Sequence, residues 1–468
     1  MYDGPPPASL LEANNLLERL IILGGTGDLT GRYLLPGLAT LRASGYLGDR
    51  FRLTAAARND WDDDRYREYA SRWLEEEASG VPPAARSFIV DSSNYRRVDL
   101  ADPASVAACV AGYGPVAAYL ALPPSIFPTA VSALHRAGLP AGSRVVLEKP
   151  FGEDLSSDIE LNGLLASVMS EREIFRVDHF LAMSTVQMLL WTRLANRVIE
   201  PIWNSAHIDE IEIVWEESLA LEGRAGYYDA VGALKDMVQN HLLQVLCLLA
   251  MEPPISLGER DLRDRKVDVL RSIRPFDESA VRSYTRRARY RAGRLGERDV
   301  PAYVDESGVE PAHRTETFAE VLLQLDSWRW AGTRFRLRTG KAFGRNRKEV
   351  LVHFRPVPHL PSEVTAPPVN RLRFGLEPQG LALEMTGLGP GADLTLVPLV
   401  LQADLDEPEL PAYGPLLLNV LSGDTTLSIR DDEAEESWRV VTPILEAWAK
   451  DVVPIEEYEA GSEGPAPR

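Results

Sequence analysis

Three glycines stand close together in Leu23-Gly24-Gly25-Thr26-Gly27-Asp28-Leu29, directly after the apolar run Arg19-Leu20-Ile21-Ile22-Leu23. A turn stripped of side chains lets backbone approach a pyrophosphate, and the free amides of the following helix complement its charge. The spacing departs from G-x-G-x-x-G because Thr30 takes the place of the last glycine. An ordinary glycine-rich turn fits the same residues. The next apolar run, FRLTAAA, ends at Ala57-Arg58-Asn59, where the ribose of a dinucleotide would arrive. An acid there bonds the ribose hydroxyls of NAD, whereas an arginine pairs with the additional phosphate of NADP. Arg58 therefore points to NADP as cofactor, and the nearby Asp60 leaves use of NAD open.

These residues need a scaffold, and the pattern supplies one. From Arg19 to about Phe175 short apolar runs (RLIIL, FRLTAAA, VAAYLAL, SRVVLEKP) alternate with helical segments such as PASVAACVAGYG. That alternation reads as a doubly wound, parallel, Rossmann-type sheet. The segment after the glycines carries Leu29, Tyr33, Leu34, Leu38 and Leu41 at helical spacing, with Pro36 predicted to kink or restart the helix. From about Arg176 the texture changes. A helix through Val186, Leu189, Leu190 and Leu194 precedes the period-2 run IDEIEIVWEE and the helical DMVQNHLLQVLCLLAM. Short alternating runs follow (TFAEVLLQLDSW, TRFRLRTG, EVLVHFRP, NRLRFGLEP, GLALEMTG), the mark of a large, mostly antiparallel sheet. The expected organisation is an N-terminal tail (1–18), a nucleotide-binding domain (19–175), a substrate-binding and oligomerisation domain (176–457) and a C-terminal tail (458–468). Neither tail is expected to contribute core.

Composition bounds the rest. The 468 residues include 50 Lys+Arg and 69 Asp+Glu, giving a net charge of −19. Such a balance repels polyanions, so neither nucleic acid nor a membrane surface is an expected partner. Hydrophobic residues at 45% exclude a largely disordered chain. The N-terminus lacks a basic flank followed by an apolar run, and no apolar stretch reaches about 18 residues. A cytoplasmic location is the expectation. Cys109 and Cys247 lie far apart, which excludes a disulfide framework and a cysteine-rich zinc site; they read as small buried hydrophobes, and no metal is expected.

Longer motifs carry a family likeness. GGTGDLTGRYLLP, YLALPPS, EKPFG, RVDHFL, NRVIEPIWN, EGRAGYYDAVGALKDMVQNHLLQVLCLLAMEPP, TETFAEVLLQLDSWRWAGTRFRLRTGKA, SGDTTL and YEAGSEGP together resemble glucose 6-phosphate dehydrogenase. The likeness runs in order from about residue 19 to residue 465. It implies NADP-dependent oxidation of a sugar's anomeric hydroxyl to a lactone, in a homodimer or homotetramer. By this resemblance His241, in Val238-Gln239-Asn240-His241-Leu242, matches the general base. Asp178, in Arg176-Val177-Asp178-His179, matches the carboxylate that orients it. The pairing suits the chemistry, since imidazole titrates near neutrality and a carboxylate fixes its tautomer. Without the family, a histidine on an apolar helix is more often a satisfied core residue. Lys149, in Glu148-Lys149-Pro150-Phe151-Gly152, resembles the lysine that reaches both substrate and nicotinamide. Glu217, Asp236 and Lys341 resemble residues that bind sugar hydroxyls, and His179 a residue that contacts the substrate phosphate.

The chain departs from the family at that phosphate. The motif H-Y-L-G-K-E is here His179-Phe180-Leu181-Ala182-Met183-Ser184, and a second family lysine falls on Asn346. A hydrogen bond from a charged group contributes on the order of 1.5–3 kcal/mol, so two missing lysines cost roughly 3–6 kcal/mol, about two to four decades in affinity. Arg345 and Arg347 flank Asn346 as candidate replacements. Three readings follow: a glucose 6-phosphate dehydrogenase with a rebuilt phosphate site, a paralogue acting on an unphosphorylated or differently substituted sugar, or a non-catalytic NADP-binding sensor or assembly protein.

Overall fold

A computed structural model describes residues 16–223, 225–360, 369–390, 395–403, 405, 410 and 413–466. The expected N-terminal tail falls mostly outside them. Two compact units emerge, the first from Met1–Met183, Leu257–Arg263 and Pro408–Ala434, the second from Ser184–Ser256, Asp264–Glu407 and Glu435–Arg468.

The first unit is built on six parallel strands: β1 (Arg19–Leu23), β2 (Arg52–Ala57), β3 (Ser93–Arg97), β4 (Ala117–Leu120), β5 (Arg144–Glu148) and β6 (Ile174–Val177). Their order, β3-β2-β1-β4-β5-β6, reverses direction beside β1 and creates the crevice where doubly wound sheets bind nucleotides. All four residues of β4 are buried, as expected for a strand covered on both faces. Leu34, Leu35, Leu38 and Leu41 pack into the same core as Leu20 and Ile22. The restart expected at Pro36 does not occur: helical backbone runs unbroken from Asp28 to Ala43, π-helical over Thr30–Leu34 and α-helical over Leu35–Ala43, with Leu34 and Leu35 both in the right-handed helical region. The expected boundary at residue 176 falls inside β6, because the sixth strand completes the parallel sheet through Val177.

The second unit holds β7 (Ile208–Glu216), β8 (Thr285–Arg291), a small hairpin of β9 (Gly293–Leu295) and β10 (Arg298–Val300), β11 (Phe318–Leu323), β12 (Arg334–Gly340), β13 (Arg347–Phe354), β14 (Arg371–Glu377), β15 (Gln379–Leu388), β16 (Leu396–Ala403) and β17 (Ile455–Glu459). Nine of these form one sheet, ordered β16-β15-β14-β13-β7-β12-β11-β8-β17. Its neighbours pair antiparallel except β7 with β12 and β8 with β17. Helical backbone runs from Leu234 to Ala250, π-helical to Leu242 and α-helical beyond.

The C-terminal segment contradicts the expectation of a tail without core. β17 closes one edge of the sheet, and Tyr458 is buried among Tyr290, Phe318 and Phe343. Its hydroxyl donates to the Lys341 carbonyl at 2.6 Å. Gly/Pro-rich composition concealed this, because a single edge strand leaves a short alternating signal. Replacing Tyr458 with Ala should destabilise the protein by about 3–5 kcal/mol, the range for deleting a large buried ring. Urea denaturation reads this directly; an unchanged midpoint would place the segment outside the core.

Candidate active site

The glycine turn is fixed from three sides. Gly24 and Gly25 both donate their amides to the Ala56 carbonyl at the end of β2, at 2.8 and 3.0 Å. Gly24 has φ 93°, and a Cβ on it would lie 2.0 Å from the Ala121 oxygen, so only glycine fits. Asp62 caps the helix Asp63–Glu77 by accepting the Arg65 amide, and from that helix Tyr69 donates to the Gly27 carbonyl at 2.9 Å. Thr26 bonds Asn59 at 2.9 Å, tying the turn to the residues after β2. Asp28 is exposed and Leu29 half-buried.

Arg58 is exposed beyond β2. Asp60, the acid that kept NAD open, faces Arg97 at 3.3 Å. Arg97 ends β3 opposite Ala57, beside Arg58. A ribose phosphate arriving at the end of β2 would meet Arg58, and the acid nearby, Asp60, is engaged by Arg97. Sequence reasoning missed Arg97, since only the order of the strands brings it there. The bare glycine turn and Arg58 fit NADP.

Two further residues leave the sheet side by side. Glu148 and Val177 are partners in the parallel pair β5/β6, so Lys149 and Asp178 emerge next to one another. Lys149 is joined to Pro150 by a cis peptide bond. Asp178 is buried, and its carboxylate accepts the Phe180 amide at 2.9 Å. Glu148 is buried too; it accepts from Tyr119 at 2.5 Å and Tyr413 at 3.3 Å. Burial pushes its carboxyl up to about 7, against the opposing pull of the Tyr119 hydrogen bond and the Lys149 ammonium. His179 is half-buried and stacks on Tyr413, ring centroids 5.7 Å apart, while Tyr413 stacks on Tyr33 at 5.1 Å. Tyr413 was not found by sequence reasoning, because it arrives from a segment more than two hundred residues away. Phe180 is buried and Met183 half-buried.

In the second unit the parallel register sets Gly340 of β12 opposite Glu216 of β7. The next residues on each strand, Lys341 and Glu217, meet at 2.7 Å. Trp215 also donates to Glu217 at 3.3 Å, and the Lys341 ammonium lies 5.3 Å from the centre of the Tyr228 ring. Burial raises the Glu217 carboxyl, but the Lys341 ammonium and these bonds outweigh it and hold it below the usual range. The helical segment Leu234–Leu242 carries Asp236, half-buried, and His241, buried. The His241 amide donates to Asn240 at 2.6 Å.

The positions expected to replace the phosphate lysines are occupied otherwise. Asn346 accepts from the Ser218 amide and hydroxyl, at 2.8 and 3.1 Å. Arg345 faces Glu463 at 3.5 Å, and Arg347 pairs with Glu349 at 2.5 Å.

A doubly wound sheet with a glycine turn at its switch point is the fold of nucleotide-dependent dehydrogenases. The family models described as "Glucose-6-phosphate dehydrogenase, NAD binding domain" and "Glucose-6-phosphate dehydrogenase, C-terminal domain" match residues 21–188 and 190–468. The chain belongs to the glucose-6-phosphate dehydrogenase family. It is 38% identical over 471 residues to glucose-6-phosphate 1-dehydrogenase of Zymomonas mobilis subsp. mobilis, covering 97% of this chain and 96% of the relative. The enzyme of that name from Mycolicibacterium smegmatis is 40% identical over 469 residues, covering 95% and 94%. A solved glucose-6-phosphate dehydrogenase in complex with its substrate glucose-6-phosphate superposes with a TM-score of 0.88 at 30% identity, covering 96% of each chain. The Mycobacterium avium glucose-6-phosphate 1-dehydrogenase gives 0.86 at 32%, covering 96% and 95%.

Glu148 generates a test. Its folded carboxyl keeps a proton that the unfolded chain releases, so this contribution to stability is full below about pH 4.5 and is lost as pH rises through about 7. The loss amounts to about 3 kcal/mol for a shift of this size. Glu148→Gln should abolish that slope. Denaturation of both proteins at pH 5 and pH 8 reads the difference, and parallel profiles would refute a buried carboxyl titrating near neutrality.

Proposed function

We propose that the protein oxidises the anomeric hydroxyl of glucose 6-phosphate to the lactone, with NADP as hydride acceptor. The observation that carries this reading is the ordered set of residues at the carboxyl ends of parallel strands, from Gly24 and Arg58 to Lys149, Asp178, Glu217 and Lys341, in the family's own positions. NADP, when bound, takes up the hydride from the anomeric carbon at its nicotinamide ring. Gly24, Gly25, Thr26, Gly27, Asp28 and Leu29 hold its pyrophosphate, and Arg58 its ribose phosphate. Lys149 holds the sugar close to the ring. Glu217, Asp236 and Lys341 fix the sugar hydroxyls. His241 removes the anomeric hydroxyl proton, and Asp178 stabilises the imidazolium that forms. His179, fixed by its stack on Tyr413, donates to the substrate phosphate. The same reading places the enzyme in the cytoplasm as a homodimer or homotetramer; among the described residues no helix is long and apolar enough to cross a membrane.

A specific observation favours a second reading, a sugar without the 6-phosphate. Phe180 lacks the family's hydroxyl, Met183 its charge, and Asn346, Arg345 and Arg347 are each engaged with Ser218, Glu463 and Glu349. Steady-state reduction of NADP separates the two. The first predicts kcat/KM for glucose 6-phosphate of about 10⁴ M⁻¹s⁻¹ or more and well above that for glucose; preference for free glucose would establish the second. His241→Asn should lower kcat by about 10²–10⁴-fold, the worth of a positioned base, with NADP affinity unchanged in fluorescence titration. Near-normal turnover would remove His241 from the role.

A further inference from the structure

Asp236 and His241 do not follow strand ends, so something else must fix them. The helix Ala225–Ala233 breaks at Gly232, where φ is 72° and ψ 170°, and a new helical segment starts at Leu234. The start of a helix leaves backbone amides without partners. Two of those at this break are taken by one residue: the Ala233 amide donates to the Glu316 carbonyl at 3.2 Å, and the Leu234 amide to the Glu316 side chain at 2.9 Å. Glu316 is buried, and burial raises its carboxyl while the Leu234 bond and the Arg287 and Lys235 charges pull it back. Negative charge at this end of a helix also complements its dipole. Gly232 makes room for the arrangement, because a Cβ there would lie 2.6 Å from the Glu316 oxygen.

The residues on either side of Glu316 extend the tie. Thr315 donates to the Asp229 carbonyl at 2.6 Å, ahead of the break. Thr317 accepts the Lys341 amide at 3.0 Å, and its hydroxyl lies 3.0 Å from that of Tyr458. Three consecutive residues leading into β11 therefore grip both sides of the break and the backbone of Lys341.

We propose that Glu316 is a positioning residue: its carboxylate sets the start of the segment carrying Asp236 and His241, and Thr317 registers that segment against Lys341. This rests on the reading of His241 as the base and extends it to a residue that touches neither substrate nor cofactor. Leu234 is the anchor, and a shift there is carried along the helix to His241, where misplacement by about 1 Å costs about 10²-fold in rate.

The test compares Glu316→Ala, Glu316→Gln and Glu316→Asp in the full-length enzyme. The alanine removes the acceptor; the glutamine keeps an oxygen within reach of the Leu234 amide; the aspartate keeps the charge but is too short to reach it. Expected are a kcat loss of about 10²-fold in the alanine and aspartate variants, an unchanged KM for NADP, and recovery of most of the turnover in the glutamine variant. A merely structural role would instead lower kcat in step with the melting temperature and would not separate glutamine from aspartate. Normal kcat in a folded alanine variant overturns the proposal; should alanine fail to fold, normal kcat in the aspartate variant overturns it equally. His241→Asn run alongside keeps the two readings apart: full turnover there removes the base, while the ranking of the Glu316 variants still reports on the anchor.

Discussion

Parallel strand pairing is the constraint on which the functional residues depend. Neighbouring parallel strands end on the same side, so the residues that follow them emerge together. Leu23 beside Ala56 brings the glycine turn against the backbone before Arg58, and Glu148 beside Val177 brings Lys149 next to Asp178. In the second unit most of the sheet is antiparallel, yet the pair β7/β12 is parallel, and Glu217 and Lys341 are the residues it releases. The rule that ligands gather at the carboxyl ends of parallel strands thus accounts for both halves. Asp236 and His241 lie on a helix and need an anchor of their own, which Glu316 supplies.

Charge is distributed against the global balance. A chain of net charge −19 binds anions only where cations are held locally. After β2 Arg58 is exposed, and Asp60 is engaged by Arg97. At the two positions where the family resemblance sets phosphate-binding lysines the chain has Met183 and Asn346, and Arg345 and Arg347 beside the latter face carboxylates. His179, stacked on Tyr413, is the residue that the proposed function sets against the substrate phosphate.

Much of this was legible before any fold was known. Alternating apolar runs announced the parallel sheet, and short period-2 runs the large, mostly antiparallel one. The glycine turn could be read from sequence because its geometry is local: a few adjacent residues suffice. What stayed hidden depends on long-range order. Arg97 acquires meaning only once β3 lies beside β2, and Tyr413 and Glu316 only once distant segments return to His179 and Leu234. Tyr458 was lost for another reason. A lone edge strand in Gly/Pro-rich surroundings has no local signature beyond a few alternating residues, and its burial is a property of the sheet it joins.

In the proposed function a hydride passes from the anomeric carbon of the sugar to the nicotinamide. Incubation with NADP and glucose 6-phosphate carrying deuterium at that carbon tests this most directly. The account predicts that the deuterium is recovered in the reduced nucleotide, read by mass spectrometry, with the lactone as the sugar product. Reduced nucleotide without deuterium, or no reduction at all, would contradict it.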